Sequence, residues 1–288
     1  MFHPSDHNPE LYEEEFRLLR DFIHERFGLS FEDSQRSSLR TRLAGRLVAL
    51  DLLSFEDYYH YLRFSPDRED ELRRMASHVT NNETYFFREP SQLEVLGQTL
   101  LRELKDRKTR AGERQLRLLS AGCSSGEEAL TLAMLVFDSG QFFWNWNVDV
   151  VGLDLDHDTL ERARRGVYHR NSFRSMPPAL MERHFGREGS GWRVKDGVRR
   201  MVQFRLGNIL TPESYKGLEP LDVILCRNVL IYFSDATMLK VVRLFHSLLA
   251  PGGYLLLGHA ESLARITDAF TPLRFPGALV YQRPVNDP

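Results

Sequence analysis

The sequence predicts an α/β protein: a doubly wound, mostly parallel sheet, preceded by a small all-helical domain and carrying a small antiparallel β insertion. Three observations lead there. Residues 11–79 repeat apolar side chains at helical spacing. From residue 116 short apolar runs alternate with helical ones, the pattern of a parallel sheet covered on both faces. Between about 167 and 200 that alternation stops, and Pro177, Pro178, Gly186, Gly189, Gly191 and Gly197 accompany short β-like pieces such as residues 192–195.

The elements follow in order. Residues 1–10 read as a loose tail. Phe16, Leu19, Ile23 and Phe27 mark a first helix, and Gly28 stands where a left-handed C-terminal cap belongs. Ser30 and Asp33 have the spacing of a capping box, and Leu39, Leu43, Leu47 and Leu50 stripe the helix behind it. Ser54 and Asp57 repeat the signal before a helix over 55–64, and Pro66 opens another up to about Val79. Residues 80–90 break the periodicity. A linker helix covers 93–104 within the connecting segment 91–115, whose charged end, 105–115, reads as a surface connection. Strands are predicted at 116–120, 148–153, 202–206, 222–226 and 254–257. Helices are predicted at 127–137, 158–165 and 235–249, and a hairpin over 273–282. The domain plan is therefore a helical unit over 11–90 and an α/β domain over 116–288 with its insertion at about 167–200.

Composition narrows the function classes. The 288 residues are 42% hydrophobic and carry a formal net charge of -2, so no global field draws the chain to nucleic acid or an anionic membrane. Cys123 and Cys226 are too few for a disulfide framework. The N-terminus lacks an apolar run and no stretch approaches the ~20 apolar residues of a membrane span, so a cytoplasmic protein is expected.

Ligands of open parallel sheets bind at the carboxyl ends of the strands. The first strand ends in Gly122-Cys123-Ser124-Ser125-Gly126, a G-x-x-x-G turn without the middle glycine of a dinucleotide site. Glu127 and Glu128 open the next helix; carboxylates there repel phosphate and accept hydrogen bonds from an amine. The second strand ends at Asp154, which suits either ribose hydroxyls or the cap of the next helix, a role Asp158 could also fill. Asp154, Asp156 and Asp158 do not form a calcium loop, because Thr159 and Arg165 stand where glycine and glutamate are required. Gly207-Asn208-Ile209 and Arg227-Asn228 follow the next two strands and are expected to line the cleft. Tyr232 fits core packing with its hydroxyl at the rim.

The same turn is also a literal G-x-S-x-G, and Ser124, Asp222 and His259 occur in the chain order of an α/β-hydrolase. Against that alternative, an esterase using Ser124, Asp222 falls at the start of its strand rather than at the carboxyl end. A nucleic-acid amino-methyltransferase would need an Asn/Asp-Pro-Pro-aromatic motif where this chain has Arg227-Asn228-Val229-Leu230.

Several strings together resemble the chemotaxis receptor (CheR-type) protein-glutamate O-methyltransferase family. They are residues 82–89 (Asn-Glu-Thr-Tyr-Phe-Phe-Arg-Glu), 120–128, 154–156 (Asp-Leu-Asp), 227–233 (Arg-Asn-Val-Leu-Ile-Tyr-Phe) and 258–262 (Gly-His-Ala-Glu-Ser). The likeness spans nearly the whole chain and implies the class I methyltransferase fold, with S-adenosylmethionine as cofactor and no metal. It implies cofactor contacts from Asn82, Thr84 and Arg88, with Glu127 at the amino-acid end and Asp154 at the ribose. Asn208, Ile209, Arg227 and Asn228 would stand on the adenine side, and Arg88 and Tyr232 nearest the transferred methyl. The implied partner is the cytoplasmic helical domain of a methyl-accepting chemotaxis receptor, met by a basic helix that here carries Arg36, Arg40, Arg42 and Arg46. A solvated polar face is the commoner fate of such charges. Some members use the inserted β-subdomain to hold a receptor's C-terminal pentapeptide; the shorter insertion here leaves that use open. Nucleic acid binding and membrane insertion are not expected, and a monomer is.

Overall fold

The structure, a computed structural model, describes residues 9–285. Most of the expected tail lies outside the described residues, as do the last three residues of the expected α/β domain.

Four helices build the N-terminal unit: α1 (Glu13–Phe27), α2 (Arg36–Ala49), α3 (Phe55–Phe64) and α4 (Arg68–Val79). Their stripes meet in one core, with Phe16, Leu19 and Ile23 of α1 against Leu39, Leu43 and Leu47 of α2, Phe55 and Leu62 of α3, and Met75 of α4. Each such buried side chain contributes roughly 1.5–3 kcal/mol. Gly28 caps α1 at φ 77°, its N–H donating to the His24 carbonyl, and Ser54 Oγ accepts the Asp57 N–H at the start of α3. The expected Ser30–Asp33 box does not form. Glu32 and Gln35 make the reciprocal pair instead. The Ser30 N–H is drawn to the Tyr232 carbonyl at 2.8 Å, beside a bridge between Leu29 and Phe233. A contact between domains has overridden a local cap.

The arginines of α2 have different surroundings. Arg46 forms a bidentate pair with Glu71 of α4 at 2.9 and 2.6 Å, and the Tyr58 hydroxyl donates to the same carboxylate at 2.7 Å. Arg42 reaches the Val79 carbonyl at 2.9 Å at the end of α4. Arg40 pairs with Glu10, and Arg36 is exposed. Because the Glu71 side chain is only 3% exposed, Arg46→Ala would strand a buried carboxylate. It is expected to cost about 3 kcal/mol in denaturant unfolding, whereas Arg36→Ala stays within about 0.5 kcal/mol.

After the 80–90 segment come α5 (Pro90–Val95) and α6 (Leu101–Arg110), joined by one π-helical stretch, Leu96–Leu100. Residues 105–110, expected as a surface connection, continue this helix. Their apolar stripe is replaced on the inner face by Lys108, whose ammonium meets Asp222 at 2.9 Å and Glu113 at 3.0 Å. An inward ion pair leaves no hydrophobic signature.

The α/β part runs β1 (Gln115–Ala121), α7 (Glu127–Ser139), β2 (Asn147–Asp154), α8 (His157–Arg165), β3 (Val167–Tyr168), α9 (Pro178–His184), β4 (Phe185–Glu188), β5 (Gly191–Val194), α10 (Asp196–Arg199), β6 (Val202–Leu206), β7 (Leu221–Cys226), α11 (Asp235–Leu248), β8 (Leu249–Leu257), β9 (Thr271–Phe275) and β10 (Ala278–Gln282). The main sheet has seven strands in the order β6-β2-β1-β7-β8-β10-β9. The first five are mutually parallel; β10 runs antiparallel to both β8 and β9, so β9 returns to the direction of the first five. Strand order reverses between β1 and β7, and the crevice at such a point receives the ligand in open sheets. Apolar side chains fill both faces of the sheet.

The insertion forms a three-stranded antiparallel sheet, β3-β5-β4. It is anchored by Phe86, whose ring packs on Tyr168, Phe173 and Phe185 at centroid distances of 4.8, 5.4 and 5.0 Å. The aperiodic 80–90 segment thus wedges between insertion and sheet. Among the described residues, no helix is long and apolar enough to cross a membrane.

Candidate active site

A cavity of about 590 Å³, open to solvent, lies over the carboxyl ends of β1, β2 and β7 and the loop after β6. Its lining includes Asn82, Gly122, Ser124, Asp154, Asn208, Ile209, Asn228, Val229 and Tyr232, and Phe27 and Leu29 close it from the helical unit. Asp154 is the one ionisable carboxylate in that lining, and no Lys or Arg is among the described residues there. A phosphorylated ligand would find no counter-charge, whereas a cation would find Asp154.

The glycine turn sets the floor. Gly122 adopts φ 81°, and a Cβ there would stand 2.6 Å from Val229 Cγ2. Its N–H and that of Cys123 donate to the Leu153 carbonyl, which ties the β1 and β2 turns together.

Asp154 does not cap α8. Asp156 does, accepting the Asp158 and Thr159 N–H groups. The Asp154 carboxylate accepts Ser124 N–H at 2.7 Å and Asp156 N–H at 2.8 Å, which aims it across the cavity floor. Burial pushes this carboxyl up to about 6, against the opposing effect of those two N–H donors. Ribose hydroxyls held there would donate to the ionised form, so their binding would favour loss of this proton. Cofactor affinity is therefore expected to be complete at neutral pH and to fall as pH drops through about 6. The loss should approach about tenfold one pH unit lower, measured with S-adenosylhomocysteine by calorimetry. A flat profile from pH 5 to 8 would contradict this.

The 80–90 segment crosses the mouth. Asn82 Nδ2 donates to Asp156 at 2.7 Å, and its carbonyl accepts Ser124 Oγ at 3.1 Å. Thr84 is half-buried and outside the cavity lining. Arg88 donates to the Glu83 carbonyl at 3.0 Å and its guanidinium lies 5.4 Å from the Tyr85 ring centroid. Phe87 and Glu89 hold positive φ (57° and 55°), so tertiary contacts must impose this path. Arg227 supplies one of them. Its side chain, 1% exposed, donates Nε–H to Glu128 at 2.7 Å and Nη1–H to the Arg88 carbonyl at 2.7 Å.

The sequence-predicted residues therefore divide. Asn82, Asp154, Asn208, Ile209, Asn228 and Tyr232 share one cavity. Asn208 also ties β6 to α1 through the Arg26 carbonyl at 2.9 Å. Thr84, Arg88, Glu127 and Arg227 stand outside the lining. The Glu127 carboxylate is buried, takes hydroxyls from Ser125 and Ser172, and is raised by that burial despite the two hydrogen bonds. Asn81, whose amide donates to the Tyr232 hydroxyl at 2.7 Å, was not singled out by the sequence. Nor was the pairing of Glu128 with Arg227, which has no local signature across 99 residues.

The hydrolase alternative finds no support. Ser124 Oγ donates to the Asn82 carbonyl, and Asp222 is held by Lys108 and the Arg117 N–H at the opposite end of the sheet. Ser124→Ala is accordingly expected to keep methyl transfer within about threefold of wild type, since it removes one neutral hydrogen bond.

The cavity fits S-adenosylmethionine on its donor set. Asp154 offers carboxylate lone pairs, Ile209 and Val229 offer apolar faces, and Asn228 Oδ1 is buried without a hydrogen-bond partner among the described residues. Comparisons with known proteins agree. The family described as "CheR methyltransferase, SAM binding domain" matches residues 82–278, and "CheR methyltransferase, all-alpha domain" matches 14–80. Chemotaxis protein methyltransferase 2 of Vibrio cholerae serotype O1 is 34% identical over 271 residues, covering 94% of this chain and 93% of that protein. The chemotaxis protein methyltransferase of Vibrio parahaemolyticus is 33% identical over 94% of this chain and 97% of its own. The probable biofilm formation methyltransferase WspC of Pseudomonas aeruginosa is 34% identical over 94% of this chain, which spans 62% of that longer protein.

Proposed function

This chain belongs to the CheR methyltransferase family of S-adenosylmethionine-dependent enzymes, and from that premise we propose that it methylates glutamate side chains on the cytoplasmic helical domain of a chemotaxis-type receptor. The observation that carries this reading is the cavity itself: a single carboxylate, no basic lining, and the Tyr232 hydroxyl at its wall. Bound there, S-adenosylmethionine would supply a sulfonium methyl as electrophile.

A glutamate carboxylate is ionised at neutral pH, with a reference pKa near ~4.3, so the protein needs no general base. Its task is to align an anion with a cation and exclude water while both charges vanish. Tyr232 is suited to this. Asn81 donates to its oxygen, which leaves the phenolic proton for another acceptor, such as the incoming carboxylate. Arg88, outside the lining but on the segment that carries Asn82, is the guanidinium nearest in sequence that could turn to orient a carboxylate without quenching it by a close pair. The exposed Arg36 is the α2 charge available to an acidic receptor helix; Arg40 would have to leave Glu10, and Arg42 and Arg46 are held within the helical unit. Relatives named for chemotaxis and for biofilm formation are each 34% identical to this chain, which spans 93% of the first and 62% of the second.

The test is transfer of radiolabelled methyl to a receptor cytoplasmic fragment, beside the same fragment with its candidate Glu residues changed to Gln. Label released as methanol by alkali, and absent from the Gln fragment, is the expected result. Alkali-stable label, or equal labelling of both fragments, would rule out glutamate esters.

A further inference from the structure

Glu261 lies in the turn after β8 and is 6% exposed. Nothing in the chemistry above uses it. Its two oxygens accept four backbone N–H groups. Oε1 takes Val229 at 2.9 Å and Ile231 at 3.2 Å; Oε2 takes Asn228 at 2.9 Å and Gly258 at 2.6 Å. Two of these, Asn228 and Val229, lie in the loop entering the 3-10 turn Leu230–Tyr232 and Ile231 lies within it, where a helical turn leaves its first donors without partners of its own. No ion pair to Glu261 occurs among the described residues, so N–H dipoles alone meet its charge. The fit is tight from the other side as well: a Cβ on Gly258 would stand 2.8 Å from both Asn228 N and Glu261 Oε2. Asn228 itself adopts φ 60°, a left-handed conformation that asparagine tolerates better than most residues.

We infer that Glu261 is a positioning residue of the transfer site, fixing the backbone of residues 228–232 and through it the Asn228 amide and the Tyr232 hydroxyl in the cavity. The inference rests on the methyl-transfer reading of that cavity. The chemistry requires a carboxylate. Four inward N–H groups need two acceptor oxygens, and a glutamine would turn an NH2 group against two of them.

Two double-substitution cycles test it. In the first, Glu261→Gln is expected to lower kcat about 100-fold in the wild-type background. It should cost less than about threefold beside Tyr232→Phe, where there is no hydroxyl left to misplace. In the second, read by calorimetry with S-adenosylhomocysteine and no methyl acceptor, Glu261→Gln should weaken binding about tenfold alone and little beside Asn228→Ala. Glu261→Asp, which keeps the charge but cannot span both pairs of donors, serves if the glutamine variant does not fold, and should show the same pattern. Equal losses in both backgrounds of both cycles would reduce Glu261 to a general stabiliser and overturn the proposal, as would wild-type kinetics and binding. A wild type that binds S-adenosylhomocysteine but methylates no receptor leaves the second cycle decisive, and would count against the receptor reading alone.

Discussion

Arg227→Ala is expected to lower the melting temperature by about 10 °C and to abolish tight cofactor binding at the same time. The guanidinium is buried and bridges three parts of the chain. It pairs with Glu128 at the start of α7, which also accepts the Ser120 hydroxyl at 2.8 Å, and it donates to the Arg88 carbonyl in the 80–90 segment. Removing it leaves a largely buried carboxylate, 11% exposed, without its counter-charge, which costs about 3 kcal/mol. For a chain of this size, each kcal/mol is worth roughly 2–4 °C. The loss reaches the site because Asn82 lies on the same segment and Phe87 and Glu89 hold strained backbone that needs such ties. Replacing both partners, Glu128→Met with Arg227→Met, should recover most of the melting temperature, since an apolar pair leaves no stranded charge. Thermal unfolding of the three proteins checks this, and a single variant that melts like wild type would show that the pair carries no such energy.

Asp154→Ala should weaken S-adenosylhomocysteine binding about 100-fold, because hydrogen bonds to a carboxylate are worth roughly 1.5–3 kcal/mol each. Two losses combine: the acceptor for the ligand, and the anchor that holds the Ser124 and Asp156 N–H groups in place. Asp154→Asn keeps one oxygen and the shape. It should bind about tenfold more weakly than wild type, and it should also lose the acid-side fall in affinity, because the group that titrates near pH 6 is gone. Calorimetry of both variants across pH separates a ligand from a merely structural carboxylate. Unchanged affinity in Asp154→Ala would place the cofactor elsewhere.

Much of the architecture was legible before any coordinates. The stripe Leu39, Leu43, Leu47 marks one helix face, Gly28 ends a helix at positive φ, and Ser54 caps the next. Each signal is local: a side chain's period or a turn's conformational need acts within a few residues. The mostly parallel sheet and the small antiparallel insertion followed from alternation and its interruption, while the strand order and the number of strands in the insertion did not. The departures have a common cause. Ser30 was read as a cap but its N–H serves Tyr232, and residues 105–110 were read as a loop because the helix turns Lys108 rather than a leucine inward.

At the site the division is sharper. Position at a strand end nominates a residue, and Asn82, Asp154, Asn208, Asn228 and Tyr232 do meet in one cavity. Position does not say which of two adjacent polar side chains faces the ligand. Arg227 and Asn228 are neighbours, yet one turns inward to Glu128 and the other lines the cavity. Asp154 and Asp156 are two apart, yet one faces the floor and the other caps a helix. Four arginines share α2, yet Arg46 meets Glu71 while Arg36 points to water. The chain's local chemistry is enough to set the elements, their order and the strand ends where a ligand binds. The orientation of Arg46 and Arg227 depends on partners 25 and 99 residues away, because a buried charge is stable only where a counter-charge or a set of hydrogen bonds meets it, and for these two only the tertiary fold supplies one.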